Sequence, residues 1–138
     1  MARGHELLEH TADVGLRVWA PTLEELFAEA AVGLVDVMGS ATAGPGRRER
    51  VRIEAPDLHA LLVDWLSEVL FLFEARGFVP IAASVRLRSE PWRLDATLDG
   101  VGAEGFEQHG PAVKAVTYHG LEVQERPGRC EARVYLDV

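Results

Sequence analysis

The chain has 138 residues, 48% hydrophobic and 26% charged, a composition typical of a globular protein that buries one core. Fourteen basic and 22 acidic residues give a formal net charge of −8. An acidic surface repels phosphates, so we expect no tight autonomous binding to nucleic acid. The single cysteine, Cys130, excludes an internal disulfide and a cysteine-rich zinc site. We expect one domain over residues 1–138.

The N-terminal residues do not resemble a secretory signal. Arg3, His5, Glu6 and Glu9 interrupt any apolar segment there. The most apolar run, Val69–Phe73, is far too short to span a bilayer. We therefore expect a cytoplasmic protein with no membrane association.

The first half of the chain predicts a strand followed by a helix. Gly15–Ala20 has strand character, and Thr22 and Glu25 then form a capping box. Apolar residues continue at helical spacing to Met38, and Gly39 is a plausible stop.

A second helix is predicted after a loop and a short strand. Residues 39–48 contain several Gly and Pro residues and predict a loop, and Arg50–Glu54 alternates like a strand. Asp57 is a suitable N-cap for the second helix, which Gly77 and Pro80 would close. Its apolar stripe is broad, so we expect this helix to lie across the middle of a sheet.

The rest of the chain alternates polar and apolar residues over 83–88, 92–99, 114–125 and 130–137. An interruption is expected at His119 and Gly120. The predicted fold class is α+β: a two-layer sandwich, with two helices packed on a mixed, largely antiparallel sheet.

Lys114 is the only lysine, since the other 13 basic residues are arginine. Arginine replaces lysine on most solvated surfaces but not where a compact ammonium must fit a small polar pocket. Lys114 is therefore a candidate functional residue, and survival of one lysine by drift is the alternative. His119, five residues later, is a candidate ligand, an acid–base group or an ordinary edge residue.

Acidic groups occur at two distant places that a fold could bring together. Asp13 ends the polar segment Glu9-His10-Thr11-Ala12-Asp13, which alone suits a local turn. Asp137 and the α-carboxylate of Val138 end the last predicted strand. If Asp13 approached them, the oxygen ligands would suit Ca²⁺, Mg²⁺ or Mn²⁺. A frayed terminus is the alternative.

Arg47, Arg48, Arg50 and Arg52 form a basic cluster beside the predicted loop. A solvated strand edge is the favoured interpretation. Contact with RNA or with a protein partner remains the alternative.

Four sequence blocks in order resemble the archease family. They are Glu-His-Thr-Ala-Asp (9–13), Trp-Leu-Ser-Glu-Val-Leu-Phe (65–71), Val-Lys-Ala-Val-Thr-Tyr-His (113–119) and the terminal Asp-Val. The resemblance spans nearly the whole chain. It implies a small two-layer protein that activates an RtcB-type RNA ligase in tRNA splicing and RNA repair. Such proteins promote ligase guanylylation and multiple turnover, and are not ligases themselves.

The resemblance also implies site residues. Asp13, Asp137 and Val138 would bind a divalent cation, recorded as calcium in the family, with Mg²⁺ or Mn²⁺ as alternatives. Lys114, with His10 and His119, would serve ligase activation.

Two other functions remain open at this point. One is a freestanding metal-dependent phosphoester hydrolase, which lacks an obvious second carboxylate set and a clear nucleophile. The other is a passive interaction or chaperone module, which would leave the predicted carboxylate cluster without a role.

Overall fold

A computed structural model describes residues 2–9, 13–42 and 44–138. The elements in chain order are β1 (Gly4–Glu9), β2 (Asp13–Ala20), α1 (Leu23–Met38), β3 (Gly39–Ala41), β4 (Gly46–Ala55), α2 (Leu58–Arg76), β5 (Phe78–Arg88), β6 (Trp92–Gly102), β7 (Phe106–Gln108), β8 (Ala115–Arg126) and β9 (Arg129–Asp137). A 3₁₀ turn over Ala103–Gly105 joins β6 to β7.

The described strands form a four-stranded sheet in the order β1-β2-β9-β8, a three-stranded sheet in the order β4-β6-β5, and the pair β3-β7. Every ladder among the described residues is antiparallel. Both helices pack against these sheets, which confirms the predicted α+β fold of two helices on antiparallel strands. The division of the strands among separate sheets was not predicted.

Helix α1 begins and ends where its capping residues predict. The Thr22 hydroxyl accepts a 3.2 Å hydrogen bond from the backbone N–H of Glu25, and Gly39 is the C-cap. The predicted loop over 39–48 is wrong at both ends. Gly39–Ala41 forms β3 against Phe106–Gln108, and β4 already begins at Gly46. The β3 segment has no apolar alternation, so only its pairing with a distant strand makes it extended.

Helix α2 is capped at both ends. The Asp57 carboxylate accepts a 2.8 Å hydrogen bond from the backbone N–H of Ala60, as predicted, and Gly77 adopts the left-handed C-cap conformation with φ 59°. Arg47 donates to the carbonyls of Arg76 and Gly77 at 3.3 and 3.2 Å. Its positive charge thus stabilises the negative end of the α2 dipole. Arg47 is therefore hydrogen-bonded to the C-terminal end of α2 and is not available to an external ligand in the way the predicted basic cluster requires.

The core joins both helices to both larger sheets. Helix α1 contacts β2 and β5, and α2 contacts β8 and β4. At the helix crossing, the fully buried Trp65 donates its indole N–H to the carbonyl of Phe27 at 2.8 Å. Cys130 is 2% exposed, and burial raises the pKa of its thiol, so it behaves as a small buried apolar residue.

We expect Trp65→Phe to lower the free energy of unfolding by about 2–3 kcal/mol, because it removes a buried hydrogen bond and leaves a cavity. Trp92→Phe is the matched control, since Trp92 is only partly buried at the start of β6, and it should cost less than about 1 kcal/mol. Urea unfolding measures both. Equal losses would mean that the Trp65–Phe27 contact does not stabilise the helix pair.

Candidate functional site

The strand register brings distant predicted site residues to one end of the four-stranded sheet. Asp13, the first residue of β2, lies directly opposite Asp137, the last residue of β9. Asp137 in turn lies opposite Ala115, the first residue of β8. The backbone N–H of Lys114 donates to the carbonyl of Asp137 at 2.7 Å. Asp13, Asp137 and the backbone of Lys114 therefore meet at this sheet edge.

The two aspartates form a like-charged cross-strand pair. Directly opposite residues in an antiparallel ladder have Cα atoms about 4.5–5.5 Å apart, and their side chains project from the same face. Like charges in this position are destabilising. One carboxylate oxygen of Asp13 is also buried, which weakens its screening by water. A cation at this edge would relieve the repulsion.

Val138 follows Asp137 and is held in place by packing. Its side chain is half-buried and contacts the hydrophobic core. The backbone that follows Asp137 is thus anchored beside the aspartate pair. The α-carboxylate expected as the third oxygen donor therefore belongs to Val138, whose position is fixed by packing against the core.

The donor chemistry at this edge suits a hard cation. In the described residues, no group of three or more His, Cys, Asp or Glu side chains could hold a metal ion. Among the described residues, the Val138 carboxylate is the further oxygen donor expected beside Asp13 and Asp137. Such an all-oxygen set fits Ca²⁺, Mg²⁺ or Mn²⁺ and does not suit zinc.

The predicted functional side chains lie at different places. Lys114 is exposed, and its ammonium makes no ion pair with any residue that the structure describes. His119 is exposed in an irregular segment of β8, where pairing with β9 shifts between Thr117 and Glu122. This shift confirms the predicted interruption of the strand. His10 lies outside the described residues.

Tyr135 is a neighbour of the site that the sequence analysis missed. It lies one row inward from Asp137 on the same face, opposite Gly15 on β2 and Thr117 on β8. A Cβ at Gly15 would lie 2.9 Å from the Tyr135 ring, and one at Gly120 would lie 2.7 Å from it. The ring therefore fills the space that these two glycines leave. The period-two alternation of β9 could have indicated this residue, since it places Tyr135 and Asp137 on one face.

An ion-pair cluster further along the same face holds the register. Arg17 donates to Glu6 on β1 at 3.0 Å and to Glu131 on β9 at 2.5 Å, and its guanidinium lies 4.9 Å from the Trp19 ring. The hydrogen bond from Arg17 lowers the pKa of Glu131, so this carboxylate stays ionised at neutral pH. These contacts tie together the strands that carry Asp13 and Asp137.

Comparison with known proteins identifies the family. Residues 5–138 match the family described as Archease protein family (MTH1598/TM1083). The chain belongs to the archease family.

Two relatives extend the match over whole chains. The protein archease of Methanosarcina mazei is 36% identical over 139 residues, covering 97% of this chain and 95% of its own. The protein archease of Thermococcus gammatolerans is 39% identical over 144 residues, covering 99% of each chain. The resemblance in the four sequence blocks is thereby confirmed.

Solved structures of the family share the fold. The solution structure of protein 1598 from Methanobacterium thermoautotrophicum has a TM-score of 0.74 at 34% identity, covering 98% of this chain and 99% of that one. The crystal structure of an archease from Thermotoga maritima, described as a possible chaperone, has a TM-score of 0.64 at 22% identity, covering 100% of both chains. Within the described part of this chain, no helix is long and apolar enough to cross a membrane.

We expect Gly120→Ala to destabilise the protein more than Gly128→Ala. Both glycines have positive φ, 69° and 75°, so both substitutions impose backbone strain of about 1–2 kcal/mol. Only the Gly120 variant also displaces the Tyr135 ring, whereas a Cβ at Gly128 meets nothing within 4 Å. Urea unfolding of the two variants measures the difference. Equal losses would show that Tyr135 yields without cost.

Proposed function

We propose that this protein activates an RtcB-type RNA ligase in tRNA splicing and RNA repair in the cytoplasm. It would promote ligase guanylylation and multiple turnover without joining RNA ends itself. Membership of the archease family supports this proposal. The observation that carries it is the register that sets Asp13 opposite Asp137, beside the backbone of Lys114.

In this proposal, Asp13, Asp137 and the α-carboxylate of Val138 hold a divalent cation, with Ca²⁺ favoured. The cation would neutralise the facing carboxylates and fix the sheet edge for contact with the ligase. Lys114 would present its ammonium from the same edge, where its exposed side chain can reach a phosphate or carboxylate of the partner. His10 and His119 are proposed as further contact residues.

Two other functions fit the geometry less well. A freestanding phosphoester hydrolase commonly uses two metal ions. The described residues contain no group of three or more His, Cys, Asp or Glu side chains that could hold even one. A passive chaperone module accords with the description of the Thermotoga relative as a possible chaperone. It gives no role to a facing pair of aspartates.

We expect Lys114→Ala to abolish most stimulation of the ligase while the protein stays folded, because an exposed residue contributes little to stability. Lys114→Arg should also be impaired, because the forked guanidinium is larger than the ammonium. Guanylylation of the cognate ligase, with and without each variant, is the measurement. Single- and multiple-turnover ligation separates activation from recycling.

Arg126→Ala is the matched control for Lys114, because it removes one exposed positive charge at the opposite end of β8. It should leave stimulation unchanged, and thermal melts should show all three variants folded. Full activity of Lys114→Arg would show that a positive charge at this position is enough and that the size of the ammonium does not matter. Full activity of Lys114→Ala would remove this residue from the mechanism.

We expect Asp137→Asn to weaken Ca²⁺ binding at least about tenfold, because it removes one of three anionic donors. Extending the chain by Gly-Ser after Val138 should have a similar effect, because it converts the α-carboxylate into an amide. Asp64→Asn on the exposed face of α2 is the control and should bind like the wild type. Calorimetric titration with Ca²⁺, Mg²⁺ and Mn²⁺ measures each affinity. Unchanged affinity in both altered proteins would place the cation elsewhere.

A further inference from the structure

The outward face of the three-stranded sheet is basic, although the whole chain is acidic. Its charged residues lie opposite one another in the β4-β6-β5 ladders and are all exposed. The basic ones are Arg48, Arg50, Arg52, Arg86, Arg88 and Arg93, and the acidic ones are Glu54, Asp95 and Asp99. We call these nine residues the basic face. It carries an excess of three positive charges on a chain with a net charge of −8.

Half of these arginines already have acidic partners. Three ion pairs run between β4 and β6: Arg48 with Asp99 at 2.8 Å, Arg52 with Asp95 at 2.8 Å, and Arg93 with Glu54 at 3.1 Å. Among the described residues, the other three arginines have no acidic partner. These three are Arg50, Arg86 and Arg88. Their guanidinium groups are available to an external anion.

Arg50, Arg86 and Arg88 line a shallow groove of about 480 Å³. Hydroxyl groups of Ser84 and Thr97 also line it, next to each other in the β5-β6 ladder and opposite Arg50 on β4. Guanidinium and hydroxyl donors together are the groups that bind phosphate oxygens. The groove is therefore suited to an anion with several oxygen acceptors.

The shape and composition of the face favour a polymer of phosphates. Arg50 lies opposite Thr97 and Arg88 opposite Arg93, so these two arginines are four residues apart along the ladder, or about 13 Å at a rise of about 3.3 Å per residue. This span exceeds one small anion. Interfaces with proteins have an apolar core with aromatic side chains, whereas interfaces with nucleic acid are polar and positively charged. The lining of the groove is mostly charged or hydroxyl-bearing and contains no aromatic side chain, which matches the second class.

We propose that the basic face docks the phosphodiester backbone of a nucleic acid, independently of base sequence. No aromatic side chain lines the groove, so it offers no stacking platform for bases, and its guanidinium and hydroxyl groups suit the backbone. The acidity of the remaining surface keeps the binding weak and dependent on salt. Arg48, Arg50 and Arg52 are exposed on the edge strand β4, as the strand-edge interpretation predicts, and the proposal adds a ligand for that surface. It does not rest on the proposed function, since no ligase takes part.

The test is fluorescence anisotropy of a labelled RNA hairpin with the full chain. Binding should be measurable at about 20 mM salt and much weaker at about 150 mM salt. Three phosphate contacts would make the logarithm of the affinity fall with the logarithm of salt concentration at a slope of about −2 to −3. No binding at the lower salt concentration would overturn the proposal.

Charge-reversal variants locate the contact. Arg50→Glu, Arg86→Glu and Arg88→Glu should each weaken binding about fivefold or more and reduce the salt slope by about one. Arg86→Lys keeps the charge and should retain most of the affinity. Arg126→Glu is the control, because it changes the net charge equally at a turn of the other sheet. Equal weakening by Arg126→Glu would overturn the proposal, because net charge alone would then explain the binding.

Two competitors exclude the other occupants. Polyglutamate should displace the RNA poorly, and equal competition would assign the face to an acidic protein instead. Inorganic phosphate should displace RNA no better than chloride of equal ionic strength. Displacement of the RNA by phosphate at a lower ionic strength than chloride requires would assign the groove to a single anion. Either result would overturn the proposal while leaving ligase activation untouched.

Discussion

The pairing of β2 with β9 fixes the geometry on which the candidate site depends. Leu16, Val18 and Ala20 face the core from β2, and the residues opposite them on β9 are equally buried. A slip of one residue would turn these side chains to solvent and bring Arg17 into the core. The core therefore excludes a one-residue slip from the register that sets Asp13 opposite Asp137. The unfavourable approach of two carboxylates is a consequence of favourable packing elsewhere.

The two larger sheets present opposite chemistry to the surroundings. The edge of the four-stranded sheet gathers carboxylates and suits a cation, whereas the basic face of the three-stranded sheet suits phosphates. Both helices contact both of these sheets and join them through the core. If the proposed function holds, the first surface would face the ligase and the second its nucleic acid. The net charge of −8 does not reveal these two oppositely charged surfaces, because it sums the charges of the whole chain.

The helices could be predicted from sequence because their signals are local. Thr22 and Asp57 provide side-chain caps, and Gly39 and Gly77 end the helices that follow. The β3-β7 pair could not be predicted, since its extended conformation comes from a partner more than sixty residues away. The role of Arg47 was missed for the same reason: its partners are carbonyls at the end of a distant helix.

The candidate site was predictable in part. Composition isolated Lys114, and both the placement of acidic groups and the family resemblance indicated Asp13 and Asp137, but none of these gives the register that sets the aspartates opposite each other. Tyr135 was missed because its importance depends on space left by Gly15 and Gly120, which belong to two other strands. Only the β4 arginines of the basic face could be predicted from the sequence. Arg48, Arg50 and Arg52 occupy alternate positions in one short segment. Arg86 and Arg88 lie on the same face only because β5 and β4 both pair with β6.

A double-mutant cycle between Asp13→Asn and Asp137→Asn tests most directly whether these residues form one cation-dependent pair. The free energy of unfolding would be measured for the four proteins, first with chelator and then with saturating Ca²⁺. Without cation, the coupling should be unfavourable by about 0.2–1 kcal/mol, as for like charges facing each other across two strands. With Ca²⁺ it should become favourable, because both carboxylates then hold the same ion. The absence of coupling under both conditions would contradict the account.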